Sequence, residues 1–565
     1  MASRFIDRKE SDPSQKRSKS MHRTIKYTSK IFIAAAAGLF IQQSAKAQDT
    51  LKEATIDIIT NYQPKLRDAA KLNLTASLPA TDSSRSKMNY NIPALNLNFM
   101  YQPVPLKPLA LGKDSLNALQ NNFIKVGYGN LSTPLIQAGV GSGRNDQYNL
   151  GLFFNYTGSK GDIQYQDYST MNILGSGTYF AEKFEVDGRV GFNRNRVNYY
   201  GYDHTLIDLK EEDVKQVFSE VFAKVGLRNR PADPKGFKIN PNVEFIAFKD
   251  SYKRQENTFV ANIPVSKEIF DDIHVKVSGV FDLSAYKMDG GETINNNVSS
   301  VRPAVEITKP SFYLRVGVNP TWTNKETYIL PDITNDIHIA EKKLILSSGW
   351  VNYINKNNFR NLANMNPFIA DYPNTILNTK VQEIYTGIKG TLGSHFNYNT
   401  KIGVINYKNM PLFVNDATDP KKFAIRNEAS LKATQIHGEI GYIDEEKFQV
   451  RLGATYFDYG KQETELKPYG LVPLNANLNI QYTIAKKLQL KADLFAFGGN
   501  YYVIQPNDFN KTDGAFDMNL GASYDITKNF GLWFNANNLF NSKYQRWNGY
   551  QSYGVNVLGG LMIKF

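Results

Sequence analysis

Residues 448–456, FQVRLGATY, put Phe448, Val450, Leu452, Ala454 and Tyr456 at every second position, with Gln449, Arg451, Gly453 and Thr455 between them. Successive side chains of an extended chain point to opposite faces, so a period of two reads as a strand with one apolar and one polar face. The pattern recurs. Leu488, Leu490, Ala492 and Leu494 alternate with Gln489, Lys491 and Asp493, and Phe516, Met518, Leu520, Ala522 and Tyr524 with Asp517, Asn519, Gly521 and Ser523. Upstream, Ile273, Val275, Val277 and Phe281 oppose His274, Lys276, Ser278 and Asp282, while Phe184, Val186, Val190 and Phe192 oppose Glu185, Asp187, Arg189 and Asn193. Alternation alone fits two architectures. One is a sandwich with its charged faces in bulk water; the other is a closed barrel with apolar residues in lipid and charged ones on an enclosed lumen.

The turns favour the barrel. Three stretches share one design, a tyrosine entering a short polar turn: YIDEEKFQV (442–450), YTIAKKLQL (482–490) and YDITKNFGL (524–532). Tyr442, Tyr482 and Tyr524 lie 40 and 42 residues apart, and Phe565 lies 41 beyond the last, so one hairpin takes about 41 residues. Short turns at one end, long loops at the other and a tyrosine at each turn describe an outer-membrane barrel with an interfacial aromatic girdle. A tilted strand needs about 9 to 11 residues to cross the hydrocarbon, which is the length of the alternating runs. Counting plausible strands from Asn122 to Phe565 gives 22, and dividing the same stretch by the hairpin length agrees; looser boundaries allow 16 to 22, with 330–430 the hardest region to divide. The expected fold is an all-β, transmembrane antiparallel barrel.

Composition narrows the classes further. At 42% apolar and 21% charged residues the chain is too apolar for disorder, and without cysteine it has no disulfide, thiolate metal site or cysteine nucleophile. The net charge of +13 is misleading, because residues 1–47 hold ten Lys/Arg against three Asp/Glu and so carry +7 of it. The remainder is dispersed, which argues against a nucleic-acid surface. Within that leader, Met21–Lys30 is basic, Ile31–Ile41 is an eleven-residue apolar run, and Ala45-Lys46-Ala47 precedes Gln48 as an A-x-A cleavage site, the pattern of an export signal. Met21 is a candidate start, and the apolar run is too short for a membrane helix. Three regions follow: a leader (1–47), a Pro- and Asn-rich extended segment (48–121), and the barrel (122–565).

The chain closes on GVNVLGGLMIKF (554–565), where Val555, Val557, Gly559, Leu561, Ile563 and Phe565 share one face. Before it, NANNLFNSKYQRWNGY (535–550) resembles the final hairpin of TonB-dependent receptors, through Asn538, Leu539, Phe540, Asn541 and Tyr544. The resemblance implies a barrel of about 22 strands in the outer membrane of a Gram-negative bacterium. It also implies an assembly signal at Val557, Gly559, Leu561, Ile563 and Phe565, read by the barrel-assembly machinery. The departure is at the other end, because 48–121 is too short for such a receptor's plug domain and has no Arg-Gly plug motif. Thr55, Ile56, Asp57, Ile58, Ile59 and Thr60 resemble a TonB box, an extended segment that would add as a strand to a TonB-type energy transducer.

No chemistry-bearing constellation stands out. His204, His274, His338, His395 and His437 never fall at metal spacing, NDFNKTDG (507–514) misses the calcium-loop pattern, and GVGSGR (139–144) is too tight for a dinucleotide loop. No catalytic residue, metal site or cofactor is assigned, and no solute-binding residue can be named. Two functions are expected. The first is uptake or permeation of a hydrophilic solute, with the lumen filled by 48–121, by inward loops or by a partner. The second is a structural or assembly scaffold whose barrel anchors partner proteins, such as a companion lipoprotein, in the outer-membrane lipid.

Overall fold

The computed structural model describes residues 122–143, 145–233, 235–372, 377–505 and 507–565. The leader, its cleavage site at Ala45, Ala47 and Gln48, and the segment containing Thr55–Thr60 lie outside the described residues. From Phe123 on, antiparallel strands each pair with the next, and the last, Asn556–Lys564, pairs back onto the first, Phe123–Gly129, from Phe123↔Lys564 to Gly129↔Leu558. The sheet is therefore a closed barrel of 22 long strands, to which the two-residue strand Lys238–Ile239 adds a short pairing with the strand Gln255–Phe270. Closure removes the unpaired strand edge, the one arrangement of strands that can cross hydrocarbon.

The alternating faces fall as the sequence reading places them. Leu452, Tyr456, Leu520 and Leu561 point outward and are 39 to 55% exposed, as are Ile384, Ile402, Ile436 and Ile440. In water so wide a band of bare apolar surface would not persist; in lipid it is the solvated face. The strands are joined at one end by short turns, among them 271–272, 310–311, 393–395, 445–447 and 485–487, and at the other by loops such as 199–214, 356–378, 498–514 and 538–555. The tight turns need left-handed backbone at Glu445, Ala485 and Lys486, each with φ near +50° to +58°. At the short-turn end Phe396, Tyr442, Phe448 and Tyr482 form a chain of ring contacts with centroids 4.7 to 5.9 Å apart, an aromatic band over four adjacent strands that includes two of the three turn tyrosines.

The longest strands lie in and just after the region that was hardest to divide. Phe396–Asn415 and Phe423–Asp444 have 20 and 22 residues. At ~3.3 Å per residue and a ~45° tilt they rise ~47 and ~51 Å, well beyond the ~30 Å hydrocarbon layer. Their far ends do not face lipid. Leu412 and Val414 pack against Tyr469 and the loop residues Tyr501 and Val503, which is why alternation fades there.

The seam between first and last strands is set by one tryptophan and two glycines. Gly560 is the register partner of both Gly127 and Trp533, so the three share a row on the lumen side. A Cβ on Gly127 would lie 2.2 Å from the Trp533 ring, and one on Gly560 would lie 1.9 Å from the Val126 carbonyl. The indole Nε1–H donates to Val126 O (3.2 Å) and Leu561 O (3.3 Å), while Leu135, Leu558 and Met562 close around the ring. Glycine is required at 127 because the indole fills the space a side chain would take, and at 560 because the backbone of Val126 and Gly127 does.

Candidate functional site

Two features dominate the interior, a cap of inward-folded loops at the long-loop end and a polar wall beneath it. The cap begins at loop 356–378, which turns inward and forms the short helix Phe359–Met365. Asn358 caps it, its side chain accepting from Asn361 N at 3.0 Å. Phe359 is fully buried between Phe248, Tyr286 and Tyr372, with centroids 5.2 to 5.9 Å away. Downstream, Phe368 stacks on Tyr550 at 3.5 Å, Tyr200 meets both rings edge-on, and Trp547 packs against Phe413 and Phe423. One aromatic core therefore draws on loops 199–214, 356–378 and 538–555 and on the ends of several strands.

Polar contacts fasten this core to the wall. Glu256, 1% exposed, accepts from Phe359 N at 2.8 Å, at the start of the helix. Arg360 pairs with Glu220, and Lys356 pairs with Asp282 while donating to Ser284 Oγ at 2.6 Å. Arg254 pairs with Asp250 at 2.6 Å and donates to Ala370 O at 2.6 Å. Backbone bonds from Phe423 N to Phe368 O and from Ala370 N to Phe423 O add a short parallel pairing. Among these loop groups, burial pulls the Lys356 ammonium below its ordinary range, and burial pushes the Tyr372 and Tyr550 hydroxyls up. Burial opposes the charge on Arg254 too, but Asp250 together with Tyr199 and Tyr286 raises the guanidinium overall.

Below the cap the wall is polar and carries several paired charges, Lys276 among them. Arg315 bridges Glu306 (2.7 Å) and Asp332 (2.9 Å), with Lys276 on the other Glu306 oxygen at 2.7 Å. Lys389 pairs with Asp336 at 2.9 Å and Lys401 with Glu383. Opposite them runs an amide row on register-paired residues: Gln137 to Asn155 (3.0 Å), Asn155 to Asn172 (3.4 Å), Asn172 to Asn193 (2.9 Å), and Asn193 to Glu220 (2.9 Å). Sequence reasoning placed Asn193 on the inward face but singled out no row of amides, since an asparagine on a polar face carries no motif.

The motif at 538–544 is a built turn at the long-loop end. Asn538 and Asn541 adopt left-handed backbone (φ +54° each), Asp517 accepts from Phe540 N (3.1 Å) and Ser542 N (3.0 Å), and Tyr544 fits between Phe495 and Phe497. The two asparagines are the residue type that tolerates this conformation. Val557, Gly559, Leu561, Ile563 and Phe565 share the outward face of the closing strand, and Phe565 N donates to Asn122 O at 3.0 Å.

This closed barrel superposes on solved outer-membrane transporters. It is similar to the FrpB iron transporter from Neisseria meningitidis with a TM-score of 0.63 and 11% identity over 79% of this chain and 81% of that one. The fold is that of outer-membrane transporter and receptor barrels. The siderophore receptor PiuA from Acinetobacter baumannii matches this receptor-like barrel at a TM-score of 0.60 (12% identity; 79% and 82% covered). The pyoverdine outer membrane receptor FpvA from Pseudomonas aeruginosa matches at 0.59 (12% identity; 80% of each chain). No protein-family model and no curated protein matches the sequence.

Proposed function

We propose that this receptor-like barrel resides in the outer membrane and carries a hydrophilic solute through its lumen, with the loop cap as the gate on the long-loop side. The observation that supports this most is the way the cap is held. Its core is apolar, its polar links run through a few side chains, Glu220, Glu256, Asp282 and Arg254, and one short backbone pairing at Phe423, and no covalent bond has to break for it to lift. The wall beneath is lined with amides and paired charges that water or a polar solute can meet. Residues 48–121, lying outside the described region, would occupy or regulate the other end, and Thr55–Thr60 would engage a TonB-type transducer. The leader would direct export, and the closing strand would be read by the assembly machinery.

Planar-bilayer recording tests the proposal. Purified protein should conduct, and a variant with 359–372 replaced by a Gly/Ser linker should conduct more. A barrel that stays electrically silent with the cap removed and 48–121 deleted would refute transport.

A second reading, a scaffold for partner proteins, is favoured by one feature. The long hairpin 396–444 projects past the bilayer and is buttressed by loop 463–473 and the hairpin 501–511, a rigid platform on the long-loop side. Mild detergent extraction followed by mass spectrometry of co-purifying proteins separates the two. A stoichiometric companion lipoprotein lost on trimming this hairpin supports the scaffold, and a transducer lost on deleting 55–60 supports energised import.

A further inference from the structure

We infer that the pocket between the cap helix and the amide row is a docking site for a neutral, polyhydroxylated solute of sugar size; this rests on the transport reading and names its substrate class. The pocket holds about 200 Å³ and is lined by Asn172, Asn193, Asn195, Glu220, Arg360 and Asn364 over the stacked rings of Phe218 and Phe248, whose centroids lie 5.6 Å apart at 12°. It is below the ~300–1,000 Å³ of pockets for drug-sized ligands, so it takes one small unit.

The chemistry of the lining selects the class. Of the row, Asn172 and Asn193 line the pocket, and each donates one N–H and accepts one bond within the row. A carboxamide has two N–H groups and two lone pairs, so each keeps one donor and one acceptor for a ligand. Register pairing spaces these amides by one strand, ~4.8 Å. A strip that alternates donor and acceptor matches neighbouring hydroxyls, each of which is also both. It does not match an ion. The only formal charges in the lining, Glu220 and Arg360, neutralise each other, so an anion would have to compete with Glu220 and a cation with Arg360. Asn195 and Asn364 form none of these internal bonds and are exposed, which leaves their amides available from opposite sides, wall and helix.

Titration calorimetry on the purified full-length protein in detergent tests the site, with glucose, galactose, N-acetylglucosamine and maltotriose as neutral probes and glucose 6-phosphate and citrate as charged ones. At least one neutral sugar should bind, and more tightly than either charged probe. Asn193→Leu should weaken it roughly five- to tenfold, the worth of one or two neutral hydrogen bonds. Asn195→Leu should weaken it in the same direction while leaving the row intact, and both variants should keep the heat-resistant gel mobility of a folded barrel. The inference falls if no neutral sugar binds, if a charged probe binds better, or if neither substitution changes the affinity. A barrel that conducts without binding sugar overturns this inference alone, whereas one that binds sugar and never conducts overturns transport and leaves the site.

Discussion

Tyr550 is the residue on which the cap should turn. Its ring is 4% exposed, lies 3.5 Å from Phe368, meets Tyr200 edge-on at 4.9 Å, and its hydroxyl donates to Lys421 O. It thus ties loops 356–378, 199–214 and 416–422 to one another. Truncating a fully packed aromatic to alanine costs about 3–5 kcal/mol, and the freed lysine carbonyl adds to that. Contacts made only in the closed cap charge this cost to the closed state, so at about 1.4 kcal/mol per tenfold the open population should rise on the order of a thousandfold. Because the sequence has no cysteine, Ser176→Cys provides a single thiol on the inward face that Asn172 shares, beneath the cap. The rate at which a polymer-linked, membrane-impermeant maleimide labels it from outside intact cells then reports cap opening. Tyr550→Ala should raise that rate by about two to three orders of magnitude, and Tyr550→Phe, which keeps the ring and loses one hydrogen bond, by roughly fivefold. Equal rates in wild type and Tyr550→Ala would show that the aromatic core does not hold the entrance shut.

Other outcomes follow from the wall and the seam. Trp533→Ala removes the ring over Gly127 and Gly560 and should lower barrel stability by about 3–5 kcal/mol, read as an earlier loss of heat-resistant gel mobility in a denaturant series; an unchanged midpoint would mean the seam is held by backbone pairing alone. Arg315→Leu leaves Glu306 and Asp332 facing the lumen without their shared cation, so in the cap-replaced protein the reversal potential under a KCl gradient should shift toward cation selectivity. Glu256→Leu strips Phe359 N of its buried acceptor, at a cost of roughly 1–3 kcal/mol, and should raise maleimide labelling at position 176 in the same direction as Tyr550→Ala, though less.

The resemblance noted at 535–550 concerns a turn. Asn538, Asn541 and Tyr544 could be recognised because left-handed backbone and a buried ring restrict the residue types allowed at those positions. The long hairpin was harder to read. Its outer residues Leu412 and Val414 face Tyr469 and Val503 and not lipid, so the membrane no longer imposes its period on them. Trp533, Leu558 and Met562 broke the inward-polar rule for a similar reason: on the lumen side they pack on one another over glycines instead of meeting water.

By itself the sequence determined which side of the alternating strands is apolar, that the strands number 16 to 22, and which end carries the tight turns. Those properties are local: solvent contrast across a strand acts on each residue and its neighbours, and tight turns demand particular backbone angles. Only the tertiary structure decided that the barrel is capped and that four amides align across its wall. The bond from Tyr199 to Ile369 O spans 170 residues and that from Tyr200 to Gln551 O spans 351. The amide row exists only once five strands are in register, and no period within any one segment encodes how separate segments meet.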